Sequence, residues 1–247
     1  MSTFDVPSGY DRIRLVGSFR ELADARFERG VNAICWPRVL PGNFQEVAEK
    51  LSGHYPQADC DEPDARGIGP LDEAVLAGLE LGEAGSEAVR VLLEDQRLLR
   101  EQGLEAQLDL IRQYPQDESG GAVRTDVYSF HADSAPAEAQ TWLCTYFGAS
   151  SEGLRNDQAQ LRAESPATRQ ALLAEFGGVE GAEFGEFLQE NCYDLHYAAL
   201  AGAKPFVFGL GNLWKIAVDF PGSPVPPCIH CAPETSPSDP PRLLLIS

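Results

Sequence analysis

The chain has 247 residues, 43% of them hydrophobic, and a net charge of −19. That length and apolar content fit one large domain, or one domain with a substantial extension, around a buried core. The charge excludes nucleic acid from the expected partners, since phosphate binding needs Lys and Arg gathered on one face, and no apolar run approaches the roughly 18 residues of a membrane span.

Residues 1–10 are polar and no long apolar run follows, so no signal peptide is expected. The six cysteines are scattered except for Cys228 and Cys231, which predicts reduced thiols and a cytoplasmic protein. Residues 12–16 read as a short strand. A helix follows over 18–29, capped by Ser18 and ended by Gly30. Residues 31–36 read as a buried strand stopped by Pro37, and 43–51 as a short amphipathic helix. The stretch 52–70, rich in Pro, Gly and Asp, is expected to be loop. Leu71, Val75, Leu76 and Leu79 fall at helical spacing, and Ser86 is placed to cap a second helix running to Leu99. Beyond Gly103, Leu104, Leu108 and Ile111 extend the same period to Pro115. A polar loop over 116–121 marks the main boundary, with a mainly helical portion over 1–120 before it.

Residues 121–247 change character. The runs 122–130 and 141–147 are rich in β-branched and aromatic residues, as strands are. Ser165-Pro166 is an N-cap with Pro at the first helical position, opening a helix that Gly177-Gly178 ends. A short helix is expected over 183–189. Further strands are expected over 192–200, 205–210, 213–220 and 242–246. Short strands with Gly- and Pro-bearing turns point to an α+β chain whose second half is a β-sandwich or barrel.

The chemistry gathers around Tyr128-Ser129-Phe130-His131-Ala132-Asp133. On a strand, residues two apart face the same way, so His131 and Asp133 present an imidazole and a carboxylate side by side. That is two-thirds of the 2-His-1-carboxylate set that holds non-haem iron. Only His54, His196 and His230 remain among the four histidines. His230 is favoured as the third ligand because Arg242 follows it and opens the closing apolar run Leu243-Leu244-Leu245-Ile246. His54 and His196 read as ordinary hydrogen-bonded histidines.

This order of His-x-Asp, gap, His and Arg resembles the Fe(II)- and 2-oxoglutarate-dependent dioxygenases. It also looks like an uncharacterised bacterial family with the same triad. The resemblance implies a double-stranded β-helix, the cupin-like jelly roll, over 121–247. It implies iron ligands at His131, Asp133 and His230, and a co-substrate carboxylate bound by Arg242. The cofactors implied are Fe(II) and 2-oxoglutarate, and the reaction a hydroxylation of a small molecule, amino acid or peptide. In related halogenases Gly or Ala stands at the carboxylate position, so Asp133 favours hydroxylation. The pattern departs in that Leu243 and Leu244 follow Arg242 where Arg-x-Ser is frequent.

Rival readings exist. Cys228-Ile229-His230-Cys231 has zinc-binding spacing, but no second Cys pair completes a structural site. A cupin-like metal protein without oxygenase activity differs from an oxygenase in needing no base aimed at the metal. The acidic stretch 59–87, whose one base is Arg66, reads as a solvated face, as a docking surface for a cationic substrate, or as an interaction module.

Overall fold

The computed structural model describes residues 4, 6–54, 68–236 and 238–247. The chain is mixed α and β. Strands β1 (Ile13–Leu15), β2 (Ala33–Trp36), β3 (Ile68–Leu71), β4 (Gln107–Ile111), β5 (Gln140–Phe147), β10 (Leu213–Ala217) and β12 (Arg242–Ile246) form a seven-stranded sheet in the order β1-β2-β10-β5-β12-β4-β3. A smaller sheet holds β6 (Glu152–Leu154), β9 (Phe206–Val207) and β11 (Ile229–Cys231), in the order β11-β6-β9, and β7 (Ala159–Leu161) pairs with β8 (Tyr197–Ala199). The helices are α1 (Phe19–Asp24), α2 (Phe44–His54), α3 (Glu73–Ala77), α4 (Glu83–Glu101), α5 (Pro166–Phe176) and α6 (Ala182–Glu190). None of these is long and apolar enough to cross a membrane.

Both faces of the large sheet are buried, and the strand sequences show why. In β5, Trp142, Cys144 and Tyr146 alternate with Thr141, Leu143 and Thr145, so the two sets face opposite ways. The first set joins Ile34, Leu108, Leu110, Leu243 and Leu245 beneath α1, α2 and α4, whose Leu22, Val47, Leu51, Leu92 and Leu99 complete the core. The second set lies with Ala33, Cys35, Trp214 and Ile216 and meets Phe206, Phe208 and Cys228 of the small sheet and its flanks. The register carries this inner face on to Thr145, Leu244, Asp109, Arg242 and Ile111. Gly148, at φ +83°, is where β5 passes β12: a Cβ there would lie 2.7 Å from the Pro241 carbonyl oxygen and 3.0 Å from Arg242 Cα.

Ser18 caps α1 as expected, accepting from Glu21 N–H, but the helix ends at Asp24. Ser165 caps α5, and Gly177 closes it in the left-handed conformation. α4 begins at Glu83 with Gly82 at its N-cap, three residues before Ser86. Residues 107–111 are a strand, not a helical continuation. Leu108 and Leu110 repeat with period two, and Leu108 with Ile111 imitates a helical period. Residues 1–120 thus hold β1–β4 as well as α1–α4, and the large sheet draws on both sides of the expected boundary.

The run 122–130 is not a strand either. Asp117 accepts from the N–H groups of Ser119 and Thr125, and Asp126 from those of Asp117 and Tyr128. Side chains that capture nearby backbone donors offer the chain an alternative to a ladder. Regular pairing resumes at His131, which bridges His230 on one side and His196 on the other.

Candidate metal centre

His131 is placed by main-chain bonds. Its N–H donates to His230 O at 2.8 Å and its carbonyl accepts from His230 N–H at 2.9 Å. The segment therefore bridges β11 at the edge of the small sheet. Asp133 is fixed one step on, where its carbonyl accepts from Asp219 N–H at 2.7 Å. The expected strand under His-x-Asp is reduced to this bridge, yet the side chains converge. His131 Nε2 lies 3.7 Å from Asp133 Oδ1, and His230 Nε2 lies 3.8 Å from Asp133 Oδ2. One ligand atom from each of the three residues falls within 4.8 Å of the others, the one such cluster among the described residues.

The hydrogen bonds orient each donor. His131 Nδ1 is 2.8 Å from Ser129 O, and His230 Nδ1 is 3.3 Å from Cys228 O. A carbonyl only accepts, so each Nδ1 carries the proton and each Nε2 keeps its lone pair toward the centre. This is how metal-binding imidazoles are held. Thr141, on the inner face of β5, donates its hydroxyl to Asp133 Oδ2 at 2.5 Å. Burial, aided by the neighbouring His230, pushes His131 down to about 4, so it stays a neutral ligand. Burial works against ionisation of Asp133, but His230, the Thr141 hydroxyl and His131 outweigh it and hold the carboxyl below the usual range. A neutral His131 imidazole and the Asp133 carboxylate thus stand beside His230 Nε2.

Arg242 lies on the same inner face and is 1% exposed. Its Nε donates to Ala149 O at 2.7 Å, Nη1 to Tyr114 Oη at 3.2 Å, and Nη2 to Ser151 Oγ at 3.0 Å and Thr145 Oγ1 at 3.4 Å. Among the described residues it makes no ion pair, and burial lowers its affinity for the proton. Thr145, which touches Arg242, and Thr141, which touches Asp133, face the same way on β5, on the order of 13 Å apart along the strand. One strand thus carries the metal end and the guanidinium end of the site.

The remaining candidates sort as follows. Cys228 and Cys231 are buried free thiols, and neither joins a three-ligand cluster among the described residues. The His54 side chain and residues 59–67 of the acidic stretch lie outside the described residues. His196 is 4% exposed, and its Nδ1 is enclosed with no hydrogen-bond partner among the described residues. Tyr114, Thr141, Thr145 and Ser151 are missed by sequence reasoning, because single hydroxyls carry no pattern until the register aligns them. A groove of about 730 Å³ over Trp36, Arg38 and Leu40 lies against α4, away from the triad. Compared with protein-family models and with curated proteins, the chain matches none.

Proposed function

We propose that the chain is a non-haem Fe(II)- and 2-oxoglutarate-dependent oxygenase, hydroxylating a small molecule, amino acid or peptide on a double-stranded β-helix. The observation that carries this reading is Arg242. A guanidinium is costly to bury without a counter-charge, and among the described residues this one has only neutral partners. Its fork suits a carboxylate, which it can bind in two-pronged fashion. A bare metal-handling site has no use for such a base beside it.

The strand order supports the fold. From β4 onward the chain visits the large sheet, the small sheet at His131, the large at β5, then the small at β6 and β9. It returns to the large sheet at β10, the small at β11 and the large at β12. Eight segments alternating between two sheets, His131 by a single bridge, are the pattern a jelly roll would need, and that alternation supports the reading. β1, β2, β3 and the helices α1–α4 flank that core.

The donor set fits ferrous iron, which His131, His230 and Asp133 would hold through two imidazole nitrogens and a carboxylate. When bound there, iron supplies the activation of dioxygen that the oxidation requires. The chain's own residues do the rest. Ser129 and Cys228 carbonyls aim the two imidazoles, Thr141 aims Asp133, and Arg242 with Tyr114 and Ser151 binds the far carboxylate of the keto acid. Asp133, rather than a small residue, leaves no vacancy for halide and keeps the reading at hydroxylation. Anaerobically iron-loaded protein is expected to form succinate from 2-oxoglutarate only after oxygen is admitted. Iron binding without any oxygen-dependent succinate moves the reading to the metal-binding cupin.

A further inference from the structure

The peptide bond between Pro227 and Cys228 is held at both ends by groups from three other segments. β6 and β11 pair in antiparallel register, with Gly153 opposite His230 and Leu154 opposite Ile229. Continuing that register two steps sets Asn156 opposite Pro227. Proline has no N–H to donate, so a full main-chain pair cannot form there. Side chains take over. Asn156 Nδ2 donates to Pro227 O at 3.0 Å, and Asn32 Nδ2 donates to the same oxygen at 3.0 Å. Both lone pairs of that carbonyl are then filled. Asn32 Nδ2 also donates to Asn156 Oδ1 at 2.8 Å, which accepts from Tyr10 Oη at 2.8 Å as well. At the other end of the peptide, Cys228 N–H donates to Ala217 O at 2.8 Å, and Ala217 N–H in turn donates to Asn32 O at 2.9 Å.

The next carbonyl along the chain is Cys228 O, the acceptor of His230 Nδ1. That contact spans 3.3 Å, against 2.8 Å for the one that holds His131. N–H···O bonds ordinarily run at about 2.7–3.2 Å, so a small shift of Cys228 away from the ring would release His230. A neutral imidazole without a fixed acceptor can carry its proton on either nitrogen, and an Nε2–H tautomer offers the centre no lone pair. Asn32, 1% exposed, stands just before β2, and half-buried Asn156 stands where the chain leaves the small sheet after β6. Neither belongs to the strand that bears His230.

We propose that Asn156 and Asn32 are positioning residues for His230: by fixing the Pro227–Cys228 peptide they keep the ring proton on Nδ1 and the Nε2 lone pair on the centre. This rests on the metal centre of the oxygenase reading. The test compares wild type, Asn156→Leu and Tyr10→Phe. Tyr10→Phe removes one hydrogen bond from the network but leaves both amides on Pro227, so it reports loosening alone. Ring-nitrogen NMR shifts of the metal-free protein at about pH 8, where an ordinary histidine is mostly neutral, read the His230 tautomer. Anaerobic titration with Fe(II) reads the affinity. Asn156→Leu is expected to turn the Nδ1–H form of His230 into a mixture of tautomers and to weaken Fe(II) binding about threefold to tenfold, less than the roughly 10–100-fold lost with a partner that touches a ligand directly. Tyr10→Phe should lower the melting temperature and change neither. Should Asn156→Leu not fold, Asn156→Asp keeps an oxygen for Tyr10 and Asn32, loses the donor to Pro227, and should show the same two changes. Unchanged ring shifts or unchanged Fe(II) affinity in the Asn156 variant overturn the proposal, and so does a Tyr10→Phe variant that alters them equally. A wild type that binds no Fe(II) fails at the oxygenase reading instead, and the tautomer comparison on metal-free protein then decides the proposal by itself.

Discussion

Asp133 is the single carboxylate of the centre, and a hydroxyl aims it. Thr141→Val keeps the shape of the residue but removes the bond to Oδ2. Loss of such an orienting contact lowers metal affinity by roughly 10–100-fold, and that loss is expected here with little change in melting temperature. Asp133→Ala removes the proposed ligand itself; elemental analysis after dialysis should find no bound iron, and full occupancy would take Asp133 out of the centre. Arg242→Lys keeps the charge and loses the fork. It is expected to weaken 2-oxoglutarate binding by about 1–3 kcal/mol while sparing iron affinity. Equal keto-acid affinities, read from the charge-transfer band, would return Arg242 to a structural role.

At the scale of elements, α4 is tied to the large sheet by an enclosed ion pair. Arg38 meets both oxygens of Asp95, at 2.7 and 2.8 Å, and Tyr146 donates to the same carboxylate at 2.7 Å. Asp95→Ala leaves a buried guanidinium alone and should cost about 3–5 kcal/mol in urea unfolding; a loss below about 1 kcal/mol would mean that water reaches Arg38. Elements are also where the sequence is read unevenly. β5, β12, α5 and the cap at Ser18 are legible because alternation and capping are local signals. β4 is not, because Leu104, Leu108 and Ile111 satisfy a helical period that tertiary pairing overrides. The clustering of His131, Asp133 and His230 is legible because histidines are scarce and Arg242 opens the last apolar run. The irregular path of 122–130 is not, since it depends on which backbone donors Asp117 and Asp126 capture. Nor is the place of His196, which exists only through the register beside His131.

At the scale of the whole molecule, acid should weaken the metal-free protein. Burial pushes both His131 and His196 down to about 4, whereas an unfolded histidine titrates near 6.5, roughly. Between those values the unfolded chain binds more protons, so stability falls as pH drops from about 6.5 toward 4, by up to about 3 kcal/mol per histidine. Asp133, held low, adds to the loss only at lower pH, as its carboxyl protonates in the fold. Asp109 and Asp194, raised by burial, pull the other way. The urea midpoint of protein stripped of metal is expected to drop between pH 7 and pH 5; a flat profile would mean that the two imidazoles are hydrated.

The bridge between His131 and His230 joins segments about a hundred residues apart. Contacts so remote in sequence form only after long loops close, and chains dominated by them fold slowly, on the order of milliseconds to seconds. In the unfolded chain a metal ion would meet His131 and Asp133 but not His230, which arrives only when β11 docks. On the proposed reading the ion would stabilise the finished fold without lowering the barrier that leads to it. Stopped-flow refolding rates should be the same with and without metal, while unfolding slows when it is present. A metal held there would act as a latch, closing on a molecule that has already assembled.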